Sequence, residues 1–261
     1  MKPACAISVL VPVRGDGAFL PQALHSLLVQ TCTDWEALLC PLDDVAAARL
    51  DNIDVQDARI RRMVAVISEE AAALAAAFGQ ARGAALCALD GDDLMEPHAL
   101  ATLLAVLDSD PGIGMAYSRH ALIDAGGAPL GPGPLCELPY SPEALLLDCM
   151  TGPLRLVRRD AYVRSGGFSL ACPDAYDYDL CLRLSETTVI AHEPQALYRR
   201  RVHPCSPLVT RWAERIEDNY RAFLQAVRRR GLDGQFDCAL EIDSWHVLQP
   251  LRPFGGVGNW R

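Results

Sequence analysis

Short apolar runs alternate with stretches of helical spacing along the first half of the chain. Apolar residues at 20, 23, 24, 27 and 28 recur at the intervals of one helix face. The run at 7–13 is apolar at nearly every position, which is typical of a strand buried on both faces. The pattern predicts strands at 7–13, 35–40, 60–67 and 84–89, and helices at 19–29, 69–82 and 97–107.

The second half continues this alternation around a long loop at 125–142, which is rich in Pro and Gly. Long loops in compact domains are usually functional or mobile. We predict further strands at 113–118, 154–157, 188–192 and 196–202, and helices at 159–164, 176–185 and 211–230. Strands alternating with helices predict one α/β domain with a mostly parallel central sheet flanked by helices, followed by a C-terminal amphipathic helix and a tail.

Composition narrows the class of partner. With 261 residues and 51% hydrophobic content, the chain can bury a substantial core. A net charge of −9 argues against a nucleic-acid partner, because phosphate binding needs a basic surface. We expect a cytoplasmic protein, since no apolar run reaches the length of a transmembrane helix and the first residues lack a signal-peptide pattern. A peripheral contact with a membrane stays open.

The ten cysteines are scattered singly along the chain, without the paired short spacings of zinc sites. Several lie within apolar runs, where a free thiol behaves as a small hydrophobic side chain. The sequence therefore predicts reduced cysteines and no structural zinc.

Three carboxylates follow the predicted strand at 84–89, in the segment Leu89-Asp90-Gly91-Asp92-Asp93. Ligands of open α/β sheets bind at the carboxyl ends of strands, and carboxylates this close repel each other unless a cation or donors neutralise them. One interpretation is a divalent cation held by Asp92 with help from Asp90 or Asp93, and completed by substrate phosphates. The alternative is a solvated acidic turn in which Asp93 caps the helix that starts near Pro97.

Several segments together resemble the inverting nucleotide-sugar glycosyltransferases with the A-type fold, a family similar to glycosyltransferase family 2. The first is the strand at 7–13, and the second is Ser26-Leu27-Leu28-Val29-Gln30-Thr31 followed by Asp34-Trp35-Glu36. The others are Ala81-Arg82-Gly83 before Leu89-Asp90-Gly91-Asp92-Asp93, Gly166-Gly167-Phe168, Tyr176-Asp177-Tyr178-Asp179-Leu180-Cys181-Leu182-Arg183, and Tyr198-Arg199-Arg200-Arg201-Val202-His203-Pro204-Cys205-Ser206. This resemblance implies an A-type domain over 1–230, with a nucleotide-binding half at 1–93, an acceptor half at 94–230, and a tail of unknown role at 231–261.

The resemblance also implies roles for individual residues. Asp92 and His203 would hold Mn²⁺ or Mg²⁺, and Asp177 would be the catalytic base. The implied nucleotide-sugar ligands are Pro12, Asp43, Asp90 and Asp92.

Each of these roles has a structural alternative. Asp177 would otherwise be a helix N-cap, and His203 a packed surface histidine. We interpret Asp179 as an ion-pair partner of Arg183, one turn further along the helix. Arg199 to Arg201 are most simply a solvated face, although one of them could touch phosphate.

The chain departs from the family pattern where the nucleotide base would bind. Two Asp are usual directly after the second strand, but this chain has Pro41-Leu42, with Asp43-Asp44 two positions late. Leu74-Ala75 stand where an Arg-Asn pair is usual, and Tyr176 stands where a Glu usually precedes the base. We therefore expect weak discrimination among nucleotide bases, because apolar walls give little specificity.

Three functions remain open from the sequence. The first is a metal-dependent glycosyltransferase that moves a sugar, with inversion, from a nucleotide diphosphate donor to a hydroxyl of a glycan or another acceptor. The second is a catalytically silent relative that serves as a binding or scaffold module, which the altered base pocket favours. The third is a nucleotidyltransferase, which fits less well because it gives no role to the segment from Gly166 to His203.

Overall fold

The structure is a computed structural model that describes residues 4–53 and 56–234, without the side chains of Pro207 and Leu208. Nine strands form one sheet in this part of the chain. In chain order they are β1 (Cys5–Val13), β2 (Trp35–Pro41), β3 (Ile60–Arg62), β4 (Gly83–Ala88), β5 (Leu94–Met95), β6 (Ile113–Ile123), β7 (Pro129–Pro132), β8 (Arg155–Arg158) and β9 (Val189–Arg201).

The helices pack on both faces of this sheet. In chain order they are α1 (Leu20–Leu28), α2 (Asp44–Asp51), α3 (Glu70–Gln80), α4 (Ala99–Ser109), α5 (Pro142–Leu147), α6 (Arg159–Arg164), α7 (Tyr176–Ser185), α8 (Pro207–Thr210) and α9 (Trp212–Arg229). The predicted α/β class, with a central sheet between helices and a C-terminal amphipathic helix, is confirmed.

The strand order is β3-β2-β1-β4-β8-β6-β9-β5, with β7 paired to β6 at the side. The first four strands in this order are all parallel, as predicted. Beyond β4 the sheet is mixed, because β8 is antiparallel to both neighbours and only β6 and β9 pair in parallel. The connection between β6 and β7 is only residues 124–128, which is too short for the crossover that a parallel pair requires.

Strand β1 is buried on both faces, as its apolar run predicts. Val9 and Val11 pack with α1 and α4, whereas Leu10 packs on the other face with Leu74 of α3. A second cluster fills the other half of the sheet, where Cys181 of α7 and Ala226 of α9 are fully buried. Burial on both faces fixes the strand ends rigidly, and those ends carry the candidate site.

Several predicted boundaries differ from those of the structure. The strand predicted at 60–67 ends at Arg62, and the loop predicted at 125–142 contains β7 and leads into α5. The strands predicted at 188–192 and 196–202 form the single strand β9.

Two predictions fall on the limits of the described chain. Apart from residues 231–234, the tail predicted at 231–261 lies outside the described residues. Across 4–53 and 56–234, no helix is both long and apolar enough to cross a membrane.

Candidate active site

A cleft of about 240 Å³ opens where β1 and β4 end. Two groups of charged side chains line it. The first is the acidic turn, residues 90–93, and the second is the arginine wall, which we define as Arg155, Arg200, Arg211 and Arg215. Asp177 also lines the cleft, so residues far apart in sequence meet at one place.

The acidic turn is fixed to β1 through its backbone. The N–H of Leu89 donates to the carbonyl of Leu10, and the N–H of Gly91 donates to the carbonyl of Pro12. A Cβ at Gly91 would lie 3.0 Å from that same carbonyl oxygen, so the close approach favours glycine. The turn is therefore held against the end of β1.

Asp93 anchors the acidic turn to β9. It is only 3% exposed and accepts hydrogen bonds from the Tyr198 hydroxyl (2.8 Å) and the Arg201 N–H (2.7 Å). The alternative in which Asp93 caps the following helix is wrong, because the N-cap residue of α4 is His98.

Burial raises the pKa of Asp93 to about 6. Burial, together with the charges of Asp93 and Glu70, raises the pKa of Asp90 well above its usual range. Carboxylates crowded in this way favour a nearby cation.

The two residues predicted to hold a metal, Asp92 and His203, are in direct contact. Nε2 of His203 lies 3.1 Å from Oδ2 of Asp92, and the imidazole packs on Phe19 with ring centroids 5.2 Å apart. Within the described ranges, no group of three or more His, Cys, Asp or Glu side chains converges to hold a metal ion. A cation here would take its remaining ligands from substrate or water, and a carboxylate oxygen with an imidazole nitrogen suits Mn²⁺.

Asp177 lies in the first turn of α7, and its carboxylate faces two arginines. Oδ2 lies 3.1 Å from a guanidinium nitrogen of Arg155 and 3.6 Å from one of Arg215. Burial alone would raise the pKa of Asp177, but these two charges and the N–H of Tyr178 lower it to about 2. The N-cap of α7 is Ala175, so capping does not explain Asp177.

The predicted ion pair of Asp179 with Arg183 is confirmed, at 2.7 Å.

Two other predicted ligands differ in where the structure places them. Pro12 lines the cleft at the end of β1. Asp43 is not among the lining residues, and both of its carboxylate oxygens accept backbone N–H groups, from Ala46 in α2 and from Gly15. The structure thus gives Asp43 the role of an N-cap.

Arg201 corrects the interpretation of residues 199–201 as a solvated face. It is 1% exposed and donates to the carbonyls of Asp92, Asp124 and Ala125. Arg199 is exposed and pairs with Glu96, whereas Arg200 and Arg201 line the cleft. The guanidinium of Arg201 is already bound by the carbonyl groups named above. Arg200 is therefore the candidate phosphate contact among the three.

Arg14, Glu70 and Tyr176 form a cluster to which the sequence analysis assigns no role, and all three line the cleft. A guanidinium nitrogen of Arg14 lies 2.8 Å from Oε2 of Glu70, and the Tyr176 hydroxyl donates to Oε1 at 2.6 Å. The Tyr that replaces the usual Glu thus contacts a Glu on another helix. The sequence alone does not indicate Arg155 either, because an isolated arginine in a strand carries no distinctive signal.

The mixed sheet flanked by helices, with an acidic turn after β4, is the fold of an A-type glycosyltransferase domain. Solved structures share this fold at low sequence identity. PcManGT, a mannosyltransferase from Pyrobaculum calidifontis in complex with GDP-Man and Mn²⁺, has a TM-score of 0.64 and 15% identity, covering 87% of this chain and 65% of that one. S. aureus TarS 1–349 in complex with UDP-GlcNAc has a TM-score of 0.63 and 15% identity, covering 89% and 68% of the two chains.

Within that class, the chain belongs to glycosyl transferase family 2, whose model matches residues 8–163. The O-antigen biosynthesis protein RfbC of Myxococcus xanthus is 31% identical over 203 residues. That match covers 75% of this chain and only 16% of RfbC, so the relative is a much longer protein. The family resemblance predicted from the sequence is confirmed.

Proposed function

We propose that this protein transfers a sugar from a nucleotide diphosphate donor to an acceptor hydroxyl, with inversion and with the help of a divalent cation. The observation that carries the proposal is the contact of Asp92 with His203 beside a cleft that Asp177 also lines. Membership of glycosyl transferase family 2 supports it. TarS with UDP-GlcNAc and PcManGT with GDP-Man support a nucleotide sugar as the class of donor, and do not select one sugar.

Asp92 and His203 are the residues that would hold Mn²⁺ or Mg²⁺. When bound, such an ion supplies positive charge to a departing diphosphate. Arg200 lines the same cleft and adds fixed positive charge close to the acidic turn. Asp90, at the start of that turn, and Pro12 are the proposed nucleotide-sugar contacts, and we leave Asp43 out because its carboxylate caps α2.

Asp177 is the proposed general base. In a direct displacement the acceptor oxygen forms a bond to the anomeric carbon, the bond to the diphosphate oxygen breaks, and the acceptor proton passes to Asp177. One displacement of this kind inverts the anomeric centre. A pKa of about 2 keeps Asp177 ionised at neutral pH, but also makes it a weak base. We therefore place its contribution near the lower end of the range for general bases, about 10²-fold.

The proposed acceptor is a glycan or another hydroxyl compound. The proposed location is the cytoplasm, and we propose no nucleic-acid partner. A peripheral contact with a membrane stays open.

A silent binding module remains the second candidate function. The observation in its favour is the apolar replacement at Pro41-Leu42, where Leu42 is only 2% exposed.

An Asp177→Asn variant separates the enzyme from the silent module. We expect transfer and donor hydrolysis to fall by about 10²-fold, while donor affinity stays within a factor of two or three, about 0.5 kcal/mol. The matched control is Asp160→Asn, since Asp160 also lies in the first turn of a helix and pairs with an arginine, Arg164. Equal turnover in Asp177→Asn and the parent protein would remove Asp177 from the chemistry. A parent protein that binds a nucleotide sugar but turns over none would favour the module.

A further inference from the structure

His120 is a buried histidine that lines the cleft and has no role so far. It lies on β6, and only 4% of its surface is exposed. Neither Nδ1 nor Nε2 has a hydrogen-bond partner among the described residues. Buried polar atoms in proteins are nearly always hydrogen-bonded, so two unsatisfied nitrogens at a cleft wall need an explanation.

The imidazole is held between two glycines. A Cβ on Gly152, which has a φ of +62°, would lie 3.4 Å from Nδ1 of His120, and a Cβ on Gly133 would overlap the ring. The loop around Gly133 is tied to β6, because the N–H of Gly133 donates to the carbonyl of His120 at 2.8 Å. The ring therefore has little freedom to turn towards another partner.

The imidazole is neutral at physiological pH. Burial and the charges of Arg200 and Arg155 lower the pKa of His120 to about 4. A neutral imidazole offers one N–H donor and one nitrogen acceptor. A hydroxyl group can use either of them, because it both donates and accepts.

Residues next to His120 contact Arg155, which in turn contacts the proposed base, Asp177. Gly152 directly follows Thr151, whose hydroxyl accepts a hydrogen bond from Nε of Arg155 at 2.9 Å. The same arginine contacts Asp177. Pro134, Leu135 and Pro153 line the cleft as well and give this part of the wall apolar surfaces. Apolar surfaces beside a neutral hydrogen-bonding group suit a sugar ring better than a phosphate.

We propose that His120 binds a sugar hydroxyl within the cleft. We assign this hydroxyl to the acceptor because His120 packs on Gly152, next to Thr151, whose partner Arg155 contacts Asp177. The proposal rests on the proposed function only for the source of the sugar. A hydroxyl of the donor's sugar has the same chemistry, and the experiments separate the two sources.

The first experiment compares His120→Asn with His192→Asn. His192 is a matched control, because it is half-buried with an unsatisfied Nε2 but does not line the cleft. The measurements are affinities for UDP, GDP, UDP-GlcNAc and GDP-Man, donor hydrolysis, and transfer to 4-nitrophenyl glycosides of glucose, galactose, mannose and N-acetylglucosamine.

We expect His120→Asn to lower kcat/KM for transfer by about tenfold with donor affinity and hydrolysis unchanged, and His192→Asn to change neither. A loss of affinity for the nucleotide sugar but not for the bare diphosphate would assign the hydroxyl to the donor. No change in any of these quantities would overturn the proposal.

The second experiment uses the unaltered protein and does not depend on glycosyl transfer or on the folding of a variant. The ring ¹³C–¹H signal of His120, assigned through its backbone, is followed as the same glycosides and nucleotide sugars are added. We expect the His120 signal to shift and that of His192 to stay. A shift with glycosides in a protein that binds no nucleotide would support the sugar site and contradict the proposed function. No shift with any sugar would overturn the sugar site, even if nucleotides still bind.

Discussion

Asp177 is held in its ionised form by charge, and this has a consequence for stability. Its pKa in the folded protein is about 2, below the usual value of 3.8. A carboxyl group whose pKa is lowered on folding stabilises the folded state above its unfolded pKa, and this contribution is lost as the pH falls towards the folded pKa. The window for Asp177 therefore runs from about pH 4 down to about pH 2.

We predict that Asp177→Asn lowers the free energy of unfolding by about 2 kcal/mol at pH 7, and by about half as much at pH 3. Urea unfolding of both proteins at the two pH values measures the difference. A simple N-cap would lose only a few tenths of a kcal/mol on this substitution, with no such pH dependence. A small, pH-independent difference would therefore mean that the arginines do not hold the charge of Asp177.

At the residue scale, the sequence indicates only those residues that lie in recognisable motifs. Asp92 and His203 were paired as metal ligands although they lie 111 positions apart, and they are in contact. Asp43 is ambiguous in the sequence, because the same side-chain type can bind a ligand or cap a helix. Arg155 and Glu70 could not be found, since their importance comes only from the elements that meet around them.

At the element scale, the strongly periodic segments were predicted well and the weakly periodic ones were missed. Helix α2 buries only Ala46 and Leu50, so it has almost no apolar period to detect. The predicted break between residues 192 and 196 marks a real irregularity. β9 runs on, but its pairing with β6 shifts between Ser118 and Arg119, opposite Glu193 and Ala196. Pro194 lies in that gap, where a residue without an N–H costs no ladder hydrogen bond.

The end of β2 carries a prediction about donor choice. Pro41 ends the strand and Leu42 lines the cleft, so neither offers a side-chain hydrogen bond to a nucleotide base. Leu74 of α3 is fully buried and cannot contact a ligand. We predict that the preference for UDP over GDP or ADP stays below about 100-fold, or 2.7 kcal/mol.

Calorimetric titration of the three diphosphates measures this preference. A preference for UDP greater than this limit would mean that polar groups elsewhere in the cleft form hydrogen bonds with the nucleotide base. The candidates are Arg14 and Glu70, whose ion pair lines the cleft. In that case Arg14→Ala should reduce the preference, whereas substitution of the exposed Arg62 should leave it unchanged.

At the scale of the whole molecule, the sheet and helix α9 bring together two groups of opposite charge. The chain carries a net charge of −9, yet its cleft gathers the four residues of the arginine wall beside the acidic turn. Carboxylates line the cleft in similar number, so the positive charge is local to the arginine wall, and that is where an anionic ligand would be attracted. The general architecture was predictable from alternating strands and helices. The antiparallel strands β5 and β7 were not, because β5 has only two residues and β7, Pro-Leu-Gly-Pro, is not an apolar run.

The central claim is that Asp92 and His203 hold a cation that completes a nucleotide site. Its most direct test is the thermal stability of the parent protein, Asp92→Asn and Asp108→Asn, with UDP or GDP and with or without Mn²⁺. Asp108 is an exposed aspartate of α4 and serves as the control. We predict that a diphosphate at about 100 times its Kd adds about 2.7 kcal/mol of stability to the parent and to Asp108→Asn only when Mn²⁺ is present, and adds nothing to Asp92→Asn. Stabilisation of Asp92→Asn by nucleotide and Mn²⁺ to the same extent as the parent would contradict the account.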